Sequence, residues 1–276
     1  MRCPVCRESL TTLETGGASA LRCRRGHSFD IAKQGYVTLL AGRAPHVGDT
    51  AQMVAAREEF LGGGHYDVIS RAVTAAAVRH LPATANDPLI VDAGGGTGRH
   101  LAAVLDAVPD AVGLVVDVSK AALRRAARAH PRGDAALADT WRALPLAEGS
   151  AALLLNVFAP RNGPEFRRVL RPDGALVVVT PEPDHLVELV TALDLLDVDP
   201  EKADRIIAGL GSHFAPGPVK VHRVRLDLPR AAAQALVAMG PSARHTGPDQ
   251  VVHRLAGLPE PVAVTLAVRV GVYRPR

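Results

Sequence analysis

The sequence predicts an α/β protein with a largely parallel sheet and a small metal-binding module at its amino terminus. Three observations lead to this prediction. Short apolar runs alternate with helical patterns beyond about residue 86, and a glycine-rich turn follows the first of these runs. All three cysteines stand within the first 23 residues, and a histidine follows the last of them.

The amino-terminal cysteines have the spacing of a zinc site. Cys3 and Cys6 form a C-x2-C knuckle, and Cys23 and His27 form a C-x3-H pair after 16 intervening residues. Three thiolates and one imidazole complete a tetrahedral shell with no open position, so the predicted zinc is structural rather than catalytic. Its binding free energy would fold a segment too short to bury a core of its own.

Disulfide bonds are the rival interpretation of these cysteines, and incidental thiols are another. An odd cysteine count, the histidine partner and the lack of an apolar h-region after Met1 favour zinc over disulfides. They also favour a reducing compartment, so the expected location is cytoplasmic.

The positive charge of the chain is concentrated in this module. Residues 1–45 hold seven basic and three acidic residues, and the remaining residues balance, so the module carries the whole net charge of +4. A basic surface interleaved with aromatic side chains is typical of RNA binding. Arg22, Arg24 and Arg25, which flank Cys23, are therefore candidate substrate-binding residues. An ordinary solvated face is the alternative.

The next segment joins the module to the main domain. Residues 41–50 lack periodicity and are predicted to be a linker. A helix is expected from Ala51 to Leu81, interrupted by the glycines of "GGGH" at 62–65. The predicted boundaries are therefore 1–45 for the zinc module, 46–85 for the linker and helical segment, and 86–276 for the main domain.

The main domain has seven predicted strands. Five alternate with helices and are expected to be parallel, and the last two, long and alternating, are expected to close one edge as an antiparallel pair. The strands are predicted at "LIVDAGG", "GLVVDVS", "AALAD", "AALLLNVF", "ALVVVTP", "VKVHRVRLDL" and "VAVTLAVRVGVY". The helices are predicted at "RHLAAVLDAV", "KAALRRAARA", "PEFRRVLR", "HLVELVTALDLL" and "RAAAQALVAM".

The turn after the first strand predicts the cofactor. Asp92, Gly94, Gly96 and Gly98 form D-x-G-x-G-x-G, and neither register of G-x-G-x-x-G is complete, which argues against a dinucleotide. Asp117 ends the second strand, where a carboxylate suits the ribose hydroxyls of an adenosine. The pattern favours S-adenosylmethionine and a class I, Rossmann-like, seven-stranded methyltransferase domain.

Several longer motifs together carry a family resemblance. The zinc motif continues into "RGHSFDIAKQGYVTLL" and is followed by "VDAGGGTGRHLA", "NVFAPRN" and "LRPDGALVVVTP". This combination resembles the bacterial large-subunit ribosomal RNA guanine-N1 methyltransferases of the RlmA type, in the branch that includes the tylosin-resistance enzymes. The similarity runs from Cys3 to near the carboxyl terminus.

The resemblance implies methyl transfer from S-adenosylmethionine to N1 of a guanine in a 23S rRNA hairpin loop near the peptide exit tunnel. In that branch the modification contributes to macrolide resistance. The resemblance places the zinc ligands at the four residues already named. It places cofactor contacts at Tyr66, at Gly98, Arg99 and His100, and at His185. A homodimer is one candidate assembly.

The end of the fourth strand, "NVFAP", is the predicted place for the target base. Asn156 and Phe158 are candidates to hold and stack the guanine, although a simple strand end turning at Pro160 is an equal alternative. Asp139 and the lone Trp141 are weaker candidates for contact with the adenine. The base that accepts the N1 proton does not follow from the sequence.

Two other functions stay open at this point. One is a methyltransferase of a small molecule or protein, with the zinc module as a lid, and it predicts activity without RNA. The other is a non-catalytic RNA-binding protein, and it predicts no modification. A membrane protein is excluded because no apolar run approaches the ~18 residues of a membrane span.

Overall fold

The computed structural model describes residues 1–15, 17–40, 42, 47–82, 87–195 and 209–276. Residues 41 and 43–46 of the predicted linker lie outside the described residues, as does residue 196 at the end of a predicted helix. Within the described ranges, no helix is long and apolar enough to cross a membrane.

The amino-terminal module is a three-stranded antiparallel sheet. Its strands are β1 (Leu10–Thr15), β2 (Ala18–Cys23) and β3 (Ser28–Asp30), in the order β1-β2-β3. Of the described residues before position 31, only Cys3, Leu21 and Cys23 have buried apolar side chains. The module therefore has almost no hydrophobic core apart from its predicted metal ligands.

The rest of the chain forms a second, larger sheet flanked by helices. Its strands are β4 (Tyr36–Thr38), β5 (Leu89–Ala93), β6 (Val112–Asp117), β7 (Gly133–Leu137), β8 (Ala151–Val157), β9 (Leu170–Pro181), β10 (Phe214–Leu228) and β11 (Val262–Pro275). The helices are α1 (Ala51–Gly62), α2 (Asp67–His80), α3 (Arg99–Ala107), α4 (Lys120–Ala126), α5 (Gly163–Val169), α6 (Val187–Leu193), α7 (Arg230–Ala238) and α8 (Pro248–Ala256).

The strand order of this sheet is β10-β11-β9-β8-β5-β6-β7-β4. The pairs from β9 to β4 are parallel, whereas β11 is antiparallel to both β9 and β10. The predicted parallel core and the antiparallel closing pair are both confirmed. Because β5 and β8 are neighbours at the centre, their carboxyl ends meet where ligands bind in such sheets.

The structure corrects three details of the prediction. The sheet has an eighth strand, because β4 of the amino-terminal region pairs with β7. The helix predicted over 164–171 ends at Val169, since Arg171 precedes Pro172 and is therefore biased to extended backbone. Strand β10 begins at Phe214 instead of position 219, and its edge position tolerates the intervening prolines.

The helical segment before the main sheet agrees with the prediction. Helix α1 begins after Thr50, whose side chain accepts a hydrogen bond from the N–H of Met53, and ends in the glycines at 62–64. Helix α2 follows and packs on the same face of the sheet as α3. The break places Tyr66 at the start of α2, buried beneath the carboxyl edge of the sheet.

Candidate cofactor and metal sites

The ligand atoms of Cys3, Cys6, Cys23 and His27 all lie within 4.8 Å of one another. Nδ1 of His27 is 3.3 Å from Sγ of Cys23, and Sγ of Cys6 is 3.7 Å from Sγ of Cys23. Two sulfurs of a disulfide would be about 2.05 Å apart. A tetrahedron with Zn–S bonds of about 2.3 Å separates its sulfurs by about 3.8 Å. The four side chains therefore fit one zinc ion and not a disulfide.

Both metal knuckles use left-handed backbone. Gly26, between Cys23 and His27, has φ +87°, and its N–H donates to the carbonyl of Cys23. Arg7, one residue after Cys6, has φ +63°. Its guanidinium donates to the carbonyl of Leu144 at 3.2 Å, in the segment between β7 and β8. The turn that shapes the metal site thus also attaches the module to the main sheet.

The three arginines around Cys23 are exposed. Arg24 forms an exposed ion pair with Glu8 at 3.0 Å, whereas Arg22 and Arg25 have no carboxylate partner among the described residues. All three lie on the surface of the module and are available to a polyanion.

The glycine turn after β5 requires glycine at two positions for different reasons. Gly94 has φ +75°, and a Cβ there would lie 2.5 Å from Cβ of Ala159, so the loop after β8 is in direct contact with the turn. Gly98 has φ +78° and caps the amino end of α3. A side-chain-free turn at the carboxyl edge of the sheet leaves backbone N–H groups open to a ligand.

Asp92 is the least compensated polar group of this edge. Its side chain is fully buried, and neither carboxylate oxygen has a hydrogen-bond partner among the described residues. Burial, with a smaller contribution from the charge of Asp117, raises the pKa of Asp92 to about 7. A buried carboxylate without a partner is costly, so this position favours a cationic ligand.

Asp117 helps to build the turn. It accepts hydrogen bonds from the N–H of Gly96 at 2.9 Å and from the N–H of Ser119 at 2.8 Å. Burial raises its pKa, although these two bonds act in the opposite direction. Asp117 therefore fixes the shape of the glycine turn, and each of its oxygens keeps a second lone pair that could accept from another donor.

Tyr66, His185 and Phe158 form an aromatic group beside this turn. The Oη of Tyr66 is 3.5 Å from Nε2 of His185, and the ring of Phe158 stacks on His185 with centroids 5.8 Å apart. Phe158 is 43% exposed and has φ +52°. A strained backbone that presents a large aromatic ring to solvent is characteristic of a binding position.

The hydrogen bonds of His185 determine where its proton lies. The N–H of Ala267 donates to Nδ1 at 3.2 Å, so the neutral ring carries its proton on Nε2, facing Tyr66. Burial lowers the pKa of His185 to about 4 and raises that of Tyr66. Both side chains are neutral at pH 7, and they serve as dipolar contacts rather than as charged ones.

Asn156 is completely buried at the end of β8. Its Nδ2 donates to the carbonyls of Ala93 at 3.0 Å and Pro160 at 2.9 Å, which uses both amide protons and fixes the orientation of the group. The Oδ1 atom has no partner among the described residues. Asn156 therefore offers a fixed acceptor beside the glycine turn.

The side chains of Arg99 and His100 point towards α2 and away from the aromatic group of Tyr66, His185 and Phe158. Arg99 forms an ion pair with Asp67 of α2 at 3.0 Å, and it lines an open cavity of about 950 Å³ between α2, α3 and α4. Nδ1 of His100 is 3.0 Å from Oγ of Ser70, and burial lowers its pKa to about 4. Only the backbone at these two positions lies in the glycine turn itself.

Other residues near the carboxyl edge of the sheet differ in how readily the sequence identifies them as candidates. Asp139 is buried and accepts from the N–H of Trp141, whose ring is 52% exposed. Sequence reasoning named no role for Tyr273, which lies near the end of β11, and Arg161, which follows β8, was not among its candidate site residues. No periodicity distinguishes them, and only the position of Arg161 in "NVFAPRN" connects it with the site.

Comparison with known proteins gives matches along the whole chain. A family model described as the RlmA amino-terminal zinc ribbon matches residues 1–44. The "23S rRNA (guanine(748)-N(1))-methyltransferase" of Streptomyces fradiae is 49% identical over 100% of this chain and 96% of that protein. The "Putative 23S rRNA (guanine-N(1)-)-methyltransferase" of Micromonospora griseorubida is 61% identical over 100% and 97%.

The chain belongs to the 23S rRNA (guanine-N1-)-methyltransferase family. The resemblance to the RlmA-type enzymes is confirmed, and the S-adenosylmethionine-dependent enzyme class and the zinc ribbon are confirmed with it. A chain in the complex of the Haloferax volcanii Trm112 methyltransferase activator shares the fold, with a TM-score of 0.51 and 17% identity, over 83% of this chain and 98% of that one.

The residues present fit the cofactor of this methyltransferase family. S-adenosylmethionine carries a sulfonium and an ammonium group, and Asp92 supplies a buried carboxylate without a partner. The left-handed glycines keep the turn free of side chains, and Asp117 ends the neighbouring strand. The site thus has carboxylates suited to the ammonium group and to the ribose hydroxyls of the cofactor.

Proposed function

We propose that this protein transfers a methyl group from S-adenosylmethionine to N1 of a guanine in 23S ribosomal RNA. The observation that carries the proposal is the full-length match to the S. fradiae enzyme, 49% identical, whose name specifies that RNA and that atom. The buried acceptors Asp92 and Asn156 and the exposed ring of Phe158 lie at one edge of the sheet and support it.

When bound, S-adenosylmethionine supplies a methyl group activated by the sulfonium. N1 of guanine forms the new N–C bond as the C–S bond breaks, and the proton of N1 is released. The protein's main contribution is alignment, which is worth about 7–11 kcal/mol for well-oriented reactants. The turn at Gly94 is in direct contact with Ala159. The residues proposed to bind the cofactor and those proposed to bind the guanine therefore keep fixed positions relative to each other.

Asn156 and Phe158 are proposed to hold the guanine. Oδ1 of Asn156 is oriented by two carbonyl contacts and accepts a hydrogen bond from an N–H group of the base. The exposed ring of Phe158, supported by His185, provides a stacking surface. A guanine held in this way has left its own stack, as chemistry on a base requires.

The proposed cofactor contacts are those predicted from the sequence. Asp92 binds the cationic end of the cofactor, and Asp117 binds the ribose. The glycine turn and the backbone at Arg99 and His100 contribute N–H groups. Tyr66 and His185 add neutral polar contacts, because burial keeps both groups uncharged at pH 7.

The proposed division of labour follows the predicted boundaries. Residues 1–45 recognise RNA, residues 46–85 connect the two parts, and residues 86–276 bind the cofactor. We further propose that the target guanine lies in a hairpin loop near the peptide exit tunnel, that its methylation contributes to macrolide resistance, and that the protein acts in the cytoplasm. A homodimer stays a prediction.

The basic surface of the module yields a test of this division. Replacing Arg22, Arg24 and Arg25 together by Gln is expected to raise the Michaelis constant for RNA and to reduce the salt slope by about 2, since each phosphate contact contributes 0.7–0.9 and Arg24 is partly neutralised by Glu8. Affinity for S-adenosylmethionine should not change. Filter binding of RNA between 50 and 200 mM salt measures the slope.

A matched control removes the same charge elsewhere. Arg124 and Arg125 are exposed on α4 and Arg128 is exposed just after it, and their replacement by Gln should leave the salt slope close to that of the wild type. Both variants must retain zinc by elemental analysis, so that misfolding does not imitate the effect. Equal slopes for the module variant and the wild type would assign RNA binding to the main domain alone.

The proposed activity itself is tested by primer extension. Protein-free 23S rRNA transcribed in vitro is incubated with the protein and S-adenosylmethionine, and reverse transcription follows. Methylation at N1 blocks Watson–Crick pairing and should produce one strong stop that depends on the cofactor. A cofactor-dependent modification of other molecules without such a stop would favour the small-molecule or protein methyltransferase, and no modification would favour an RNA-binding protein.

A further inference from the structure

Arg161 is a largely buried cation in the loop between β8 and α5. Its Nη2 donates to the carbonyl of Val179 at a long 3.4 Å, and its Nε is completely buried without any partner among the described residues. Burial lowers the pKa of Arg161 to about 10, so the guanidinium stays charged at neutral pH.

Other partly buried arginines are better satisfied than Arg161, by carboxylates or, for Arg132, by three backbone carbonyls. Arg57 binds Asp49 at 2.5 Å, Arg168 binds Glu165 at 2.5 Å, and Arg269 binds Glu182 at 2.7 Å. No carboxylate lies within 4.0 Å of the Arg161 side chain in the described part of the chain. Since an unpaired buried charge is costly, its retention points to an anion that arrives with a ligand.

The position of Arg161 connects it with the proposed guanine site. The backbone N–H of Phe158 donates to the carbonyl of Val179 at 3.2 Å, and the guanidinium of Arg161 bonds to the same oxygen. Asn156 bonds to the carbonyl of Pro160, the residue before Arg161. The end of β8 and the short loop after it therefore hold the fixed acceptor, the stacking ring and the unpaired cation.

A hydroxyl and a second cation lie near this loop. Because Gly271 has no side chain, the ring of Tyr273 packs over it. The Oη of Tyr273 lies 3.1 Å from the position that a Cβ of residue 271 would occupy. Burial raises the pKa of Tyr273, and the charges of Arg161 and Arg269 both oppose that rise. A guanidinium and a phenolic hydroxyl are donors of the kind that bind phosphate oxygens, whereas the guanidinium of Arg269 is already paired with Glu182.

We infer that Arg161 binds a backbone phosphate of the RNA next to the target guanine, an assignment that rests on the proposed function. The cofactor carboxylate is the other anion expected in the site. Although the loop touches the glycine turn through Ala159, the guanidinium of Arg161 bonds to Val179 on β9, and β8 separates β9 from the glycine turn of β5, which argues against the cofactor carboxylate. The phosphate contact would fix the extruded nucleotide while Phe158 stacks on its base.

The test uses Arg161→Gln, Arg161→Lys and, as a matched control, Arg171→Gln. Arg171 is at the start of β9 and pairs with Asp173 at 3.0 Å, so its charge is already neutralised. Binding of protein-free 23S rRNA transcribed in vitro is measured from 50 to 200 mM salt. Arg161→Gln should bind about tenfold more weakly, with a salt slope reduced by 0.7–0.9. Arg161→Lys should keep the wild-type slope, and Arg171→Gln should change neither quantity.

Calorimetry with S-adenosylmethionine and thermal unfolding separate the alternatives. A weaker cofactor affinity with an unchanged RNA slope would assign Arg161 to the cofactor carboxylate and overturn the inference. A lower melting temperature with an unchanged salt slope for RNA binding would show that Arg161 only stabilises the fold, and this result would also overturn the inference. The wild-type primer-extension stop is read in the same preparation, so a failure of the proposed function is distinguished from a failure of this assignment.

Discussion

Replacement of His27 by Ala is expected to release zinc and unfold the amino-terminal module while the main domain stays folded. The wild-type protein should contain about one zinc per chain by elemental analysis, and the variant should contain little. Hydrogen exchange followed by mass spectrometry should show loss of protection in β1, β2 and β3. Protection in β5, β6 and β8, and affinity for S-adenosylmethionine, should persist.

Unfolding of the whole module is expected because few interactions other than zinc binding stabilise it. Leu21 is the one buried apolar side chain before residue 31, in the described part of the chain, that is not also a zinc ligand. Structural zinc contributes roughly 10–16 kcal/mol of apparent binding free energy at pH 7. The contacts of Arg2 and Arg7 with Pro145 and Leu144 are only a few hydrogen bonds, worth about 1 kcal/mol each.

Thr12→Ala is a suitable control because Thr12 is exposed on β1 of the same sheet. It should leave zinc content and exchange protection as in the wild type. A metal-free protein whose β1–β3 amides remain protected would contradict the structural role of the metal. Loss of cofactor binding in the His27 variant would show that the module also supports the main domain.

The elements that sequence reasoning found are those set by local chemistry. The zinc ligands follow from spacing alone, since few other uses exist for C-x2-C followed by C-x3-H. The helix break at 62–65 follows from three consecutive glycines. The central strands are buried on both faces, so their apolar runs are short and continuous, and their order along the chain is easy to recognise.

The features that sequence reasoning missed depend on distant contacts. Strand β4 has only three residues, and its pairing with β7, about 100 residues away, has no local signal. The side-chain directions of Arg99 and His100 also depend on distant contacts, because the first turn of α3 directs both side chains towards α2, while their predicted backbone contribution stays a prediction. The left-handed backbone of Phe158 also has no signal, because only the packed loop imposes it.

Asp92→Asn is expected to have opposite effects on stability and on cofactor binding. Folding raises the pKa of Asp92 to about 7, so the folded protein retains a proton that the unfolded chain releases near pH 4. The ionised carboxylate therefore destabilises the cofactor-free fold increasingly as pH rises from about 4 to 7. This cost reaches roughly 4 kcal/mol at pH 8. The variant does not titrate, so its stability relative to the wild type should increase by about 3 kcal/mol between pH 4.5 and pH 8, as measured by urea unfolding.

The same titration governs affinity for the cofactor. The positive charges of S-adenosylmethionine favour the ionised form of Asp92, so wild-type affinity should increase as pH rises through 7. Asp92→Asn should bind about 10- to 100-fold more weakly at pH 8, the equivalent of losing one charge-assisted hydrogen bond, and its affinity should depend little on pH. Asp110→Asn, an exposed change near the amino end of β6, controls for net charge. Calorimetry at pH 6, 7 and 8 measures these affinities, and identical pH profiles for the Asp92 variant and the wild type would show that the buried carboxylate does not face the cofactor.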